Sequence, residues 1–310
     1  MDKSEKRTEA KNLLIYLGIT FGISWAMFFA LNLSGKPFFN DDGSLSGMAD
    51  LICTFGMLCP AAGVIITRFI TKEGYNLTGE NSLMLGIDLK NGKIIFYILA
   101  LLLPWVYTEL GNLMSIIIKP ECFDAEFFKT AVDDVRTVYS YPVMAFISGV
   151  YFSVGGLGEE LGWRGYMMPK LIKLCGLPKA VIIGGVIWGA WHWPLTYAGH
   201  NFGTEYKGYP FAGFAAMAVL TVFMGILLTY VTIKTGSVWP AAFLHAVNNA
   251  SPSILQFFIN PEKMNGILDD RIISFIVYSI PMIVISTAIL TVYCVRQKKS
   301  SVTVKDDSLT

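Results

Sequence analysis

The chain has 310 residues, 54% of them hydrophobic and 15% charged, with a mean hydropathy of +0.53 and a formal net charge of +1. Soluble domains carry about 25% charged residues, so this composition excludes an ordinary water-soluble globule and implies a polytopic membrane protein. The near-zero net charge leaves no global attraction for nucleic acid. Five cysteines, odd in number and without a CxxC pair, exclude a disulfide framework or a cysteine metal site.

In chain order, apolar runs that reach or approach the roughly 20 residues needed to cross a bilayer fall at 12–33, 48–70, 94–118, 141–168, 178–198, 210–233, 237–258 and 272–295. The first continues into Asn32-Leu-Ser-Gly-Lys36 with no small-x-small cleavage pattern, so it reads as a span rather than a signal peptide. Lipid tolerates only helices and closed barrels, and barrel strands would alternate over ten-residue segments. The expected fold class is therefore all-α, a polytopic membrane helix bundle of about eight transmembrane helices. It forms a single transmembrane domain over 12–295, between an N-terminal tail at 1–11 and a solvated C-terminal tail at 296–310.

An even number of spans puts both termini on one side. Of the 24 lysines and arginines, 17 fall on that side and 7 on the other. Short loops on the cytoplasmic side carry the excess of basic residues, so both tails are expected to be cytoplasmic and the protein to sit in the plasma membrane. The opposite loops carry acids instead, at Glu121, Asp124, Glu126, Asp133 and Asp134.

The apolar pattern is interrupted most sharply at Glu159-Glu160-Leu-Gly-Trp-Arg164. Each charge at mid-bilayer costs roughly 2.5–3.5 kcal/mol, so partners or a task must offset it. Glu160 and Arg164 are four apart and suit an internal ion pair. Glu159 points about 100° away and is left without a local partner. His192 falls in the fifth run, and His245 with Asn249 one turn later in the seventh. An unpaired buried carboxylate near histidines is a constellation that needs a metal or a catalytic proton.

Depth reckoning from the turns at Gly176 and Gly236 places Glu159, His192 and His245 on one level in the cytoplasmic half of the bilayer. This holds if the Lys170–Lys179 hairpin protrudes. Other polar residues read more blandly. Glu109 and Asn112 suit interhelical hydrogen bonds, and His200 is expected to be solvated in an external loop. Trp105, Trp188, Trp191, Trp193 and Trp239 read as packing and interfacial anchors.

Glu-Glu-x-x-x-Arg at 159–164, aromatic-x-x-x-His at 188–192 and His-x-x-x-Asn at 245–249, in this order, resemble the three motifs of the CPBP family. These are the CAAX-protease and bacteriocin-processing intramembrane endopeptidases, also called the ABI family. Arg-Gly-Tyr after the first motif and Ser237-Val-Trp-Pro before the third fit too. The resemblance covers about 140–258, and Trp188 stands where the family usually has Phe.

The resemblance implies a peptidase acting on a membrane-associated peptide or lipoprotein. Glu159 would activate water or join a metal site, and His192 and His245 would bind metal or position water. Asn249 would complete that shell or bond the oxyanion, with Glu160 and Arg164 in support. Two histidines and a carboxylate suit Zn2+ with an open position for water, giving Glu159, His192, His245 and Asn249 as the metal set. The family has also been read as a metal-free glutamate protease. The rival class is a non-catalytic immunity, scaffold or transport protein that uses the same polar cluster for binding.

Overall fold

A computed structural model describes residues 1–40, 44–131, 135–250 and 253–307, with no β-strand among them beyond two isolated bridges. The helices are α1 (Lys3–Leu33), α2 (Gly47–Thr71), α3 (Ile94–Ile118), α4 (Ala125–Ala131), α5 (Val135–Tyr151) and α6 (Ser153–Gly162). After a π-helical turn at Trp163–Met167 come α7 (Met168–Cys175), α8 (Leu177–Trp191), α9 (Trp193–Tyr197), α10 (Phe211–Thr235), α11 (Trp239–Ala250) and α12 (Arg271–Asp307). The chain is an all-α polytopic bundle. Five helices, α1, α2, α3, α10 and α12, are long and apolar enough to cross a membrane unaided. Their outward faces carry large exposed hydrophobics such as Phe69, Ile117 and Phe211, as contact with lipid tails requires.

The remaining crossings are made in pieces, which departs from the expected continuous spans. The fourth run divides at Phe152 and again at the π-turn. The fifth stops at Trp191 because Pro194 has no N–H to give Ala190 and its ring would strike that carbonyl. In the seventh, helix is described over Trp239–Ala250. At 1.5 Å per residue α11 is only about 18 Å long. These interrupted segments are the ones that carry the three motifs. The last helix runs on to Asp307, through most of the segment expected as a solvated tail.

Glycines set how closely α6 can sit against its neighbours. A Cβ at Gly156 would lie 2.8 Å from the Ala242 carbonyl oxygen of α11, and one at Gly158 would lie 2.6 Å from the Met57 carbonyl oxygen of α2. Without side chains the three backbones meet, as small residues permit in membrane bundles. The glutamates that follow are thereby held at the centre of the bundle.

The end of the bundle that carries the termini is tied together by buried cations. Arg68, 2% exposed, donates from Nη1 to the Gly74 and Asn81 carbonyls and from Nη2 to the Ser82 carbonyl, which folds 74–82 over α2. Lys170 bridges Glu73 at 2.5 Å and Glu9 at 2.7 Å, and the Tyr166 hydroxyl donates to Glu73. The hairpin expected to protrude with its lysines is thus tied down at Lys170.

Burial alone would raise the Glu73 carboxyl, but hydrogen bonds from Lys170, Tyr166 and Thr71 outweigh it and hold the group below the usual carboxylate range. A depressed folded value means the network stabilises above the unfolded carboxylate pKa of about 4.3. That contribution is lost as pH falls through the lower folded value. Lys170→Met is therefore expected to lower the thermal midpoint at pH 7 and to converge on the parent as pH drops from about 5 to 3. Melting curves across that range check it, and a constant gap counts against the network.

At the other end, 119–131 and 253–270 form a cap. Asp124 accepts from Lys263 at 2.7 Å and Asn260 at 3.2 Å, bonds that hold its carboxyl well below the usual range. Asp133 and Asp134 lie outside the described residues. Glu109 accepts from Ser253 Oγ at 3.0 Å, the Leu255 amide at 3.2 Å and the Ile254 amide, and Asn112 donates to Ser253 at 2.7 Å. These two residues tie the loop after α11 to α3.

Candidate active site

The helix break at Trp191 builds half of the site. Where a continuing helix would bond the His192 amide to Trp188, that amide turns instead to Gly189 at 3.1 Å. The Trp188 carbonyl, freed from the ladder, takes the His192 ring through Nδ1 at 2.9 Å. A carbonyl only accepts, so Nδ1 carries the hydrogen and Nε2 is left with a lone pair. Side chains of α1 complete the break: Trp25 Nε1 donates to the Trp191 carbonyl at 3.1 Å and Asn32 Nδ2 to the Pro194 carbonyl at 2.9 Å. The Trp191 indole donates to Ser24 at 2.6 Å.

The π-turn builds the other half. Glu160 and Arg164 form the expected i,i+4 pair, with Nη1 to Oε1 at 2.9 Å and exposures of 0% and 2%. The same Oε1 accepts His245 Nδ1 at 2.8 Å, so α11 is joined to α6 through a carboxylate and the His245 tautomer is set as for His192.

Glu159 is not left alone. Its Oε2 accepts two indole N–H groups, Trp188 at 2.8 Å and Trp163 at 3.1 Å. No hydrogen bond among the described residues uses Oε1. Trp163, one turn on from Glu159, was legible as an i,i+4 neighbour.

Glu159, His192, His245 and Asn249 line one cavity of about 530 Å³, while Glu160 and Arg164 stand behind its wall. Asn249 lies exposed at the end of α11. Its neighbour Asn248 also faces the cavity and accepts the Tyr107 hydroxyl at 2.6 Å. His200 is a further correction. It stacks on His192 with centroids 6.2 Å apart and planes 2° apart, touches Phe38 at 5.8 Å, and lines the same cavity. Burial pushes its imidazole down to about 4, so it is neutral at physiological pH and does not repel its neighbour. The cavity reaches from mid-bundle toward the end opposite the termini, not toward the end that the depth reckoning indicated.

The comparisons with known proteins meet at this constellation. Residues 141–251, the stretch that carries all three motifs, match the profile described as Type II CAAX prenyl endopeptidase Rce1-like. The motif-bearing segment is similar to this family. A relative from Methanococcus maripaludis, CAAX prenyl protease 2, is 25% identical over 253 residues, 79% of this chain and 85% of that protein.

Within this Rce1-like core, Trp188 is more than a substitute for phenylalanine. Its ring packs 4.0 Å below the Arg164 guanidinium carbon and 5.5 Å from His245, and its N–H holds Glu159. A hydrogen bond to a charged group contributes about 1.5–3 kcal/mol. Trp188→Phe is therefore expected to slow any reaction that depends on Glu159 by about tenfold or more, and to lower the melting temperature by several degrees because the same buried bond is lost from the folded state. Initial rates on the purified variant check this, and an unchanged rate removes the role given to the indole.

The donor set meets only part of what zinc requires. Both histidines have Nδ1 bonded and Nε2 free, as metal-binding imidazoles do. Among the described residues, however, no three His, Cys, Asp or Glu side chains are grouped to hold a metal ion. One oxygen of Glu159 is also committed to two indoles. The placement does not fit a zinc site with Glu159, His192 and His245 as joint ligands.

Proposed function

We propose that the chain is an intramembrane endopeptidase of the CAAX prenyl protease type, hydrolysing a peptide bond of a membrane-associated or lipidated peptide. One observation carries this reading. A carboxylate anchored through a single oxygen shares a cavity with two imidazoles whose Nδ1 atoms are both committed elsewhere. The motif match and the relative support the same chemistry.

Hydrolysis needs an activated water and a donor for the developing oxyanion. Glu159 Oε1 takes one hydrogen of the water while His192 Nε2 accepts the other, and the water oxygen attacks the scissile carbonyl carbon. The carbonyl oxygen gains the electron pair and is met by the Asn249 side-chain amide. On collapse the C–N bond breaks, and the leaving amine takes the proton held by Glu159. His245, oriented by Glu160, lines the same wall and fixes the polar side of the cavity. Trp188, Trp163 and the His200 stack fix the angles of the reacting groups.

Purified protein in lipid vesicles is expected to cleave a lipidated reporter peptide and to keep at least half its rate after dialysis against a strong chelator. A loss above tenfold that zinc restores overturns the glutamate mechanism in favour of a metal one. Failure to cleave any lipidated or membrane-bound peptide removes the peptidase reading.

A further inference from the structure

The three histidines of the chain differ in what their rings bond. His192 and His245 each commit Nδ1, to the Trp188 carbonyl and to Glu160. His200 commits neither ring nitrogen among the described residues; only its backbone amide is bonded, to the Leu195 carbonyl at 2.9 Å. Yet the residue is only partly exposed and its ring faces the cavity. A polar group drawn out of bulk water without a partner is costly, and folded proteins leave few of them.

The loop that carries His200 holds it firmly. Its two neighbours both have positive φ, +106° at Gly199 and +69° at Asn201. Backbone kept in such sparsely populated conformations must be enforced by its surroundings, and it gathers at functional sites. Here Phe202, 2% exposed, anchors the loop among Ala216, Met217 and Ile272 and meets Phe275 at 4.9 Å. The Gly203 amide closes the turn on the Gly199 carbonyl at 2.8 Å. The imidazole itself packs on Phe38.

Its position relative to the reacting groups is measured by the ring of His192, parallel to it with centroids 6.2 Å apart. An extended chain advances about 3.3–3.6 Å per residue, so this separation corresponds to about two residues of a bound peptide. Among the described residues no lysine or arginine lines the cavity. Neutral donors and acceptors are what a peptide main chain meets there.

We propose that His200 is a substrate-binding residue that hydrogen-bonds the main chain of the peptide about two residues from the scissile bond. A neutral imidazole carries one N–H donor and one lone pair, which match the carbonyl and the N–H of a peptide unit. Such a contact fixes the register of the peptide without demanding a particular side chain. The proposal rests on the peptidase reading above.

His200→Phe tests it, because a flat ring keeps the packing on Phe38 and His192 and loses only the two nitrogens. Kinetics are measured in vesicles on an S-alkylated reporter peptide and on a series with single main-chain amides replaced by esters. An ester has no N–H and a poorer acceptor carbonyl. The variant is expected to raise KM about three- to tenfold, the effect of one neutral hydrogen bond. Turnover should stay within about twofold, as when binding common to ground and transition states is removed. In the parent, the ester two residues from the cleaved bond should raise KM by a similar factor. In His200→Phe the same ester should add nothing, since both changes remove one interaction. An unchanged KM, a loss confined to kcat, or additive losses overturn the proposal. Should the phenylalanine variant not fold, His200→Leu removes the same nitrogens with less bulk and is read in the same way. Binding of the peptide to Glu159→Gln, with and without His200→Phe, separates this subsite from the peptidase reading. Weaker binding in the double variant beside a parent that cleaves nothing leaves the subsite standing and brings down the peptidase. Equal binding brings down the subsite whether or not the parent cleaves.

Discussion

Glu159→Gln is expected to lower peptide cleavage by about 10²–10⁴-fold, the range over which a positioned general base contributes. Folding should survive. The amide is isosteric, its carbonyl oxygen can still accept the Trp188 and Trp163 indoles, and no cation is left unpaired because Arg164 belongs to Glu160. What is lost is the oxygen that can carry a proton from water to the leaving amine. The expected signature is a collapse in turnover with substrate affinity nearly unchanged, since a residue acting on the water removes stabilisation made only in the transition state. Single-turnover assays in vesicles beside a melting curve check both halves. A variant that folds and cleaves at more than a tenth of the parental rate dismisses Glu159 as the base.

That a single carboxylate can be chosen from an adjacent pair shows what the sequence encodes and what it hides. The i,i+4 spacing of Glu160 and Arg164 sufficed to predict their bridge, because helix geometry fixes which neighbours can meet. The hydropathy of eight runs likewise sufficed for an all-α bundle, because lipid leaves the backbone few other solutions. Contacts between segments distant in sequence were beyond reach. Nothing local says that Trp188 Nε1 reaches Glu159 across 29 positions, or that His245 is tied to Glu160 across 85.

The helix break at Trp191 was partly legible, since Pro194 stands in the sequence. Hydropathy windows average over such residues and so drew spans through them. The π-turn at Trp163–Met167 leaves no signature in composition at all, although such turns gather at functional sites. The depth reckoning put Glu159, His192 and His245 on one level, and the three line one cavity. Measured along continuous helices, it could not give the direction in which that cavity extends, which is shaped by where α8 stops.

The Glu160–Arg164 pair makes the second large prediction, on stability rather than turnover. Breaking a buried ion pair by removing one partner costs about 3–5 kcal/mol, because the remaining charge is left in a medium that cannot solvate it. Arg164→Met is therefore expected to lower the thermal midpoint by on the order of 10 °C, using the 2–4 °C per kcal/mol typical of large domains. Pairing it with Glu160→Gln removes both charges, and most of that loss should return, since an uncharged pair of similar volume has no desolvation cost to offset.

The existing bridge is not saturated. Glu160 Oε2 and Arg164 Nε find no partner among the described residues, so its contribution to stability over a neutral pair is small. Activity should separate from stability in the double variant. The amide introduced by Glu160→Gln can still accept from His245 Nδ1, but it is neutral, holds the ring more weakly than a carboxylate and offers a competing donor if it flips. The double variant is expected to melt within a few degrees of the parent and to cleave about tenfold more slowly. Recovery of both together would make the pair a packing element. Recovery of neither would mean that the charges hold the bundle itself, and that the cost of Glu160 in the membrane is met by structure rather than by orienting the histidine.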